Sequence, residues 1–239
     1  MSRGIKVLLL NGSPRRYGGC YKLLLACIRG VVDAGGDYEV IHLYEHNIKP
    51  CIGCVSDDQR VCRFPCIIDD DDFNMIGDKL LKSNGFIIVS PIYWYGVSGV
   101  LKNFIDRLTS MENMVIHKGY SLLDGKVAGF ITVGDDTGAI ETIAYLMSVF
   151  NSMGVHIPPW SLAYHHSKMD VLENKDALLD AYNVGYNVVV AAEKLMGKIE
   201  WYRTNVDLDE MIEWIKRKTA IEYKKQYPYR AKTLYKEGI

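Results

Sequence analysis

Four cysteines lie close together in this chain: Cys51, Cys54, Cys62 and Cys66, spaced C-x2-C-x7-C-x3-C. Four thiolates at that density could hold an iron–sulfur cluster or zinc. Free thiols or a redox disulfide are the alternatives. A second chemical signature is Asn11-Gly12-Ser13-Pro14-Arg15-Arg16-Tyr17-Gly18-Gly19-Cys20, which follows an apolar run and precedes a helical pattern. Such a loop can aim backbone N–H groups and a helix N-terminus at an anion. Ser13 adds a hydroxyl donor and Arg15 a bidentate cation, while Gly18 and Gly19 permit close approach. A plain turn with surface arginines would look much the same. The loop is neither GxGxxG nor a Walker loop.

A third signature is the run Ser90-Pro91-Ile92-Tyr93-Trp94-Tyr95-Gly96. Three consecutive aromatics in a loop are hard to bury together. A flat ligand would explain them, by stacking on ring faces while backbone amides bond its edge. An aromatic plug or a dimer contact is the competing reading. Farther on, Gly134-Asp135-Asp136-Thr137-Gly138 forms another glycine-bracketed loop before a helical pattern. Its aspartates are expected to face water and cap that helix. Asp69–Asp72 is expected to cap the helix after the cysteines. The pair His165-His166 with Asp170 lacks spaced carboxylate partners and reads as an ordinary loop. No Ser-His-Asp arrangement or GxSxG elbow is visible.

Positioning these loops requires strands and helices in alternation. Strands are expected at Lys6–Leu10, Tyr38–Tyr44, Phe86–Ser90 and Val127–Val133, with a short fifth near Val155–Pro158. Runs such as VLLL and FIIV lack polar alternation and suit strands buried on both faces. Helices are expected at Tyr21–Ala34, Phe73–Ser83, Ser98–Leu108 and Ala139–Met153. This alternation predicts a doubly wound parallel sheet, in the flavodoxin-like order 2-1-3-4-5. All three loops then fall at the carboxyl ends of strands, where open α/β sheets bind ligands. Residues 1–166 would form that domain. Residues 167–239 would add a helical extension, with a long helix at Val171–Met196 and a helical, then basic segment at Leu208–Lys236, packed on the same domain or in an oligomer.

With 49% hydrophobic and 24% charged residues and a net charge of −1, the composition is that of a globular protein with no global field to attract nucleic acid. The tail mixes Lys216, Arg217, Lys218, Lys224, Lys225, Arg230, Lys232 and Lys236 with Tyr223, Tyr227, Tyr229 and Tyr235. It reads as a solvated helix or an intersubunit arm. No apolar run approaches the roughly 18 residues that a membrane span needs. A reducing cytoplasm is expected, with the cysteines free or ligating metal.

GSPR with its glycine-rich turn, followed by SPIYWYGVSGVLKNFIDR, resembles the NAD(P)H-dependent FMN reductase and iron–sulfur flavoprotein branch of the flavodoxin-like superfamily. The resemblance covers roughly residues 4–160. It implies an FMN site in which Ser13, Arg15, Gly19, Cys20 and Tyr21 line the phosphate. Pro91, Ile92, Tyr93, Trp94, Tyr95 and Gly96 would hold phosphate, ribityl chain and ring, and the Gly134–Gly138 loop would meet the pyrimidine edge. Where the family usually has Asn-Thr, this chain has Cys20-Tyr21. Iron–sulfur flavoproteins carry a four-cysteine [4Fe–4S] motif at the place of Cys51–Cys66, with a tighter spacing. The implied activity is FMN-dependent oxidation of NAD(P)H, with electrons passed to a quinone, a flavin, a metal or a protein. The alternative is an electron-transfer protein served by a ferredoxin-like partner. Flavin sites of the family lie near subunit interfaces, so a homo-oligomer is expected.

Overall fold

The computed structural model describes residues 4–195 and, beyond them, Ile212, Ala220, Lys224, Pro228 and Lys232, each helical. Among the described residues five strands form one all-parallel sheet: β1 Lys6–Asn11, β2 Asp37–His42, β3 Gly85–Pro91, β4 Val127–Gly134 and β5 Leu162–His166. Their order is β2-β1-β3-β4-β5, as the alternation predicts. The helices are α1 Gly19–Asp33, α2 Cys54–Asp57, α3 Phe73–Lys82, α4 Gly99–Arg107, α5 Thr109–Glu112, α6 Met114–Lys118, α7 Ala139–Ser152 and α8 Lys175–Lys194.

Each strand sends alternate residues to opposite faces. Leu8, Leu10, Phe86, Ile88 and Phe130 pack with α3, α4 and α7 on one side. Val7, Leu9, Ile87, Val89 and Ile131 pack with α1 and α8 on the other. That double cover explains the unbroken apolar runs: all seven residues of β3 are buried. Residues 1–199 make one compact unit and residues 200–239 a second. The expected Leu208–Lys236 helix and the basic, Tyr-rich tail lie outside the described residues, save single positions. No described helix is long and apolar enough to cross a membrane.

The fifth strand is not at Val155–Pro158. His156 makes only an isolated bridge to Val127, with its N–H on the Lys126 carbonyl. Pro158 and Pro159 then lack the N–H groups that a ladder needs, and Trp160 turns the chain at φ 57°. Pairing resumes at Leu162. The expected helix from Val171 is also split, by a 3-10 turn at Val171–Glu173 and an Asn174 cap that accepts the Ala177 N–H.

Candidate functional site

Three βα loops adjoin at the carboxyl edge. After β1, the Asn11 side chain accepts the Ser13 N–H at 3.0 Å, and the Ser13 hydroxyl accepts the Arg15 N–H at 3.3 Å. Gly19 lies against β4, since a Cβ there would sit 2.9 Å from Val133. Gly12 lies against Ser98 and Leu101 in the same way. Gly134 and Gly138 leave room for Ile92 and Tyr95 of the aromatic loop. These two glycines therefore admit protein side chains. No side chain caps the N-terminus of α1, α4 or α7. Among the described residues, two buried side-chain oxygens lack a partner, those of Ser98 and Thr132. Both lie in or beside these loops.

The aromatic loop is wound more tightly than a proline and a glycine alone would suggest. Tyr93 and Gly96 exchange both backbone hydrogen bonds, at 2.9 and 3.1 Å. Between them Trp94 and Tyr95 have φ 50° and 64°. That is a turn with two left-handed central residues, which normally calls for Asn-Gly. Each bulky residue there costs roughly 1–2 kcal/mol. Trp94 is 95% exposed and Tyr95 57%, so their packing within the protein does not offset this strain. Strain of this kind in exposed aromatics is a feature that ligand-binding loops share.

Ser13 is buried and Arg15 exposed, so the loop offers one fixed hydroxyl and one free cation. Cys20 is a core thiol beside Ser13, and burial pushes its pKa up to about 12. Tyr21 packs its ring 5.8 Å from the His42 ring, at the β2 side of the loop. Asp135 and Asp136 face water as expected but do not cap α7, because Gly138 holds that place and Asp136 accepts only the adjacent Thr137 N–H. His165 bonds the Met169 carbonyl and the Asn174 amide, an ordinary loop contact.

The cysteine segment leaves the same edge, after β2 and the turn Leu43–Glu45. Cys51, Cys54, Cys62 and Cys66 all line one small hollow open to solvent, with Arg107, Thr109, Ser110 and three isoleucines. The seven-residue gap does not separate the cysteines. Helix α2 and a turn at Asp58–Val61 fold it back, so Cys62 returns to Cys54. Burial, and then the neighbouring thiols, push Cys62 well above the usual thiol range. Among the described residues, no three His, Cys, Asp or Glu side chains are spaced to hold a single metal ion. A cluster spreads its thiolates wider than one tetrahedral ion does. The lining of thiols, N–H and O–H donors and apolar shields, with no carboxylate, suits a thiophilic group, an iron–sulfur cluster or zinc, better than a hard cation.

Side chains from the fold clamp this segment. Arg107, fully buried on α4, pairs with Asp71 at 2.7 Å and bonds the Lys49 and Ile68 carbonyls and the Cys66 sulfur. Burial opposes the charge on Asp71, but the bonds from Arg107 and from the Lys49 and Phe73 N–H groups outweigh it and hold its carboxyl below the usual range. Asp71 thus takes the Phe73 N–H, while Asp72 accepts the Asn47 N–H and caps no helix with its side chain. Asn113 donates to the Gln59 and Cys62 carbonyls, and Asn74 bonds both N–H and C=O of Cys66. Sequence reasoning missed Arg107, Asn74 and Asn113. Their only signal was an Arg, and Asn residues, on faces otherwise apolar.

The sequence model of the family described as NADPH-dependent FMN reductase matches residues 5–168. An iron–sulfur flavoprotein of Archaeoglobus fulgidus is 29% identical over 63% of this chain and 64% of its own length, less than two thirds. An iron–sulfur flavoprotein of Methanocaldococcus jannaschii is 33% identical over 64% of this chain and 73% of its own. The crystal structure of RosB with a bound formylriboflavin phosphate superposes with TM-score 0.67 at 18% identity, over 90% of this chain and 88% of that one, and so shares the fold. The matched residues hold all three loops, the cysteine hollow and α4, and over them the chain belongs to the NADPH-dependent FMN reductase family.

Proposed function

We propose that the three-loop cleft holds FMN, that Cys51, Cys54, Cys62 and Cys66 hold a [4Fe–4S] cluster, and that the protein draws electrons from NAD(P)H. The observation that carries this is the meeting of three uncapped helix N-termini with the strained Trp94–Tyr95 turn. The residues fit the group: open N–H groups and the exposed Arg15 suit a phosphate, and the exposed rings suit a flat ring system. Bound there, FMN supplies the redox chemistry between a nicotinamide and an acceptor, which can be a quinone, a flavin, a metal or a protein. Ser13 and Arg15 anchor the phosphate, with Gly19, Cys20 and Tyr21 shaping its loop. Pro91 to Gly96, Gly134 and Gly138 shape the ring pocket.

A second reading, an electron-transfer protein with a ferredoxin-like partner, is favoured by one feature. Helix α4 starts at the aromatic loop and ends at the cysteine hollow, roughly 12 Å away at 1.5 Å per residue. An absorption spectrum of protein purified without oxygen, followed by NADH or NADPH, separates the cases. Bleaching of the flavin band by either nucleotide supports the reductase. A bound flavin that neither nucleotide bleaches leaves the carrier. Protein that neither contains nor binds FMN sinks both.

The reading also places the chain in the cytoplasm, where cysteines stay reduced and available as ligands. It divides the chain into a flavin domain over 1–166, where the family match ends near residue 168, and an extension over 167–239 whose first helix, α8, packs on that domain's sheet and belongs to its compact unit. Exposed Tyr17, Trp94 and Tyr95 support self-association at the flavin edge, which light scattering of the flavin-loaded protein tests.

Two substitutions probe the cleft. Arg15→Ala should weaken FMN binding about tenfold, by loss of one solvent-exposed charge-assisted contact. Titration of free FMN fluorescence reads it, and unchanged affinity removes Arg15 from the site. Trp94→Gly should leave thermal stability without flavin unchanged, because relief of the left-handed strain offsets the added chain entropy. It should still weaken FMN binding by roughly threefold to tenfold through lost stacking. A fall in flavin-free stability with full FMN affinity would reassign Trp94 to the fold.

A further inference from the structure

Arg107 bonds both ends of the cysteine segment and one of its thiols. Its side chain is inaccessible to solvent, and so is that of Asp71. Nη1 bonds Asp71 at 2.7 Å and the Lys49 carbonyl at 3.2 Å, while Nη2 bonds the Ile68 carbonyl at 2.9 Å and the second Asp71 oxygen at 3.5 Å. Lys49 stands two residues before Cys51, and Ile68 two residues after Cys66. The guanidinium thus closes the neck of the loop that carries all four thiols. The remaining donor, Nε–H, points at the Cys66 sulfur at 3.2 Å. The plane of the group rests on Phe73, with its carbon 4.5 Å from the ring centre. Every donor direction is therefore fixed.

We infer that Arg107 is a positioning residue for the four-thiol site, which closes the Cys51–Cys66 loop and raises the reduction potential of the cluster through its Nε–H bond to Cys66. The inference rests on the reading of those cysteines as cluster ligands. Hydrogen bonds to ligand sulfur and positive charge beside it favour the reduced cluster, which carries one more negative charge. A neutral donor could supply the bond, and a lysine the charge. Only the planar fork supplies both while also holding the two ends of the loop. Because α4 also begins under the aromatic loop, the same helix sets the distance from thiol site to flavin site.

The test uses the full-length protein, purified without oxygen and assayed for iron, acid-labile sulfide and FMN. Arg107→Lys keeps the charge and loses the bond to sulfur. It should retain the cluster, with a reduction equilibrium about tenfold less favourable, a shift of about 59 mV to more negative potential for one electron. The FMN potential should not move. Potentials are read by titration followed by electron paramagnetic resonance. Should Arg107→Lys fail to fold, wild-type protein labelled with 15N-arginine answers instead. Pulsed resonance of the reduced cluster should then show coupling to an arginine nitrogen. A cluster whose potential is the same in Arg107→Lys, or one that shows no arginine coupling, overturns the role of Arg107 and leaves the cluster standing. Wild-type protein with FMN but no iron or sulfide overturns the cluster and this role with it.

Discussion

Cys62→Ser protein purified without oxygen is expected to lose its iron and sulfide while keeping its FMN. Wild-type protein should carry about four iron atoms per FMN, the content of one [4Fe–4S] cluster, and the variant less than one. Cys62 is the most buried of the four thiols, at 5% exposure, so it has no route to another role at the surface. Its surroundings disfavour a thiolate in the metal-free protein, because burial comes first and the other thiols add repulsion. A bound cluster supplies the positive charge that reverses this, so ligation and deprotonation are one event. Serine nearly keeps the volume but not the acidity, and the Asn113 bond to the residue 62 carbonyl is untouched. The fold and the FMN cleft should therefore survive. Iron and sulfide equal to wild type in Cys62→Ser would remove this residue from the ligand set. A thermal midpoint lowered together with FMN loss would mean that the thiol serves packing.

The sheet was legible because its chemistry is local. A strand covered on both faces must be apolar throughout, and VLLL and FIIV say so without any knowledge of their neighbours. The fifth strand was misplaced because the apolar run at Val155 is followed by two prolines, whose effect on pairing depends on which strand lies alongside. The loops of the cleft were legible for a similar reason, since glycines and aromatics after a strand are unusual anywhere. The strain in the aromatic turn was not legible. Its left-handed positions fall on Trp94 and Tyr95, residue types that give no sign of such a backbone. The seven-residue gap between Cys54 and Cys62 also misleads in one dimension, because α2 and the following turn return the chain to its start. The role of Arg107 was not legible. Its partners lie 36 to 58 residues away in sequence, and no spacing rule reaches that far.

Gly185→Val should be the most damaging substitution outside the three-loop cleft and the cysteine hollow, although it touches neither. Helices α1 and α8 cross so closely that a Cβ at Gly185 would run into the backbone of Cys27, and one at Gly30 into the backbone of Tyr182. Backbone cannot swing aside as a side chain can, so the helices must part. Overpacking of an adaptable core costs about 1–3 kcal/mol, and this rigid crossing should exceed that range. For a domain of this size, about 3 kcal/mol corresponds to a thermal midpoint lower by roughly 6–12 °C. Leu179→Ala, on the exposed side of α8, is the control and should stay within about 0.5 kcal/mol. The same crossing carries a functional consequence. Helix α1 opens under the phosphate loop, so parting it from α8 moves Gly19 away from Val133 and loosens that loop. FMN affinity should then fall along with stability, whereas Arg15→Ala lowers affinity alone. Gly185→Val with a wild-type midpoint would show that α8 can shift along α1 without loss. A lowered midpoint with unchanged FMN affinity would show that the phosphate loop keeps its shape without support from the crossing.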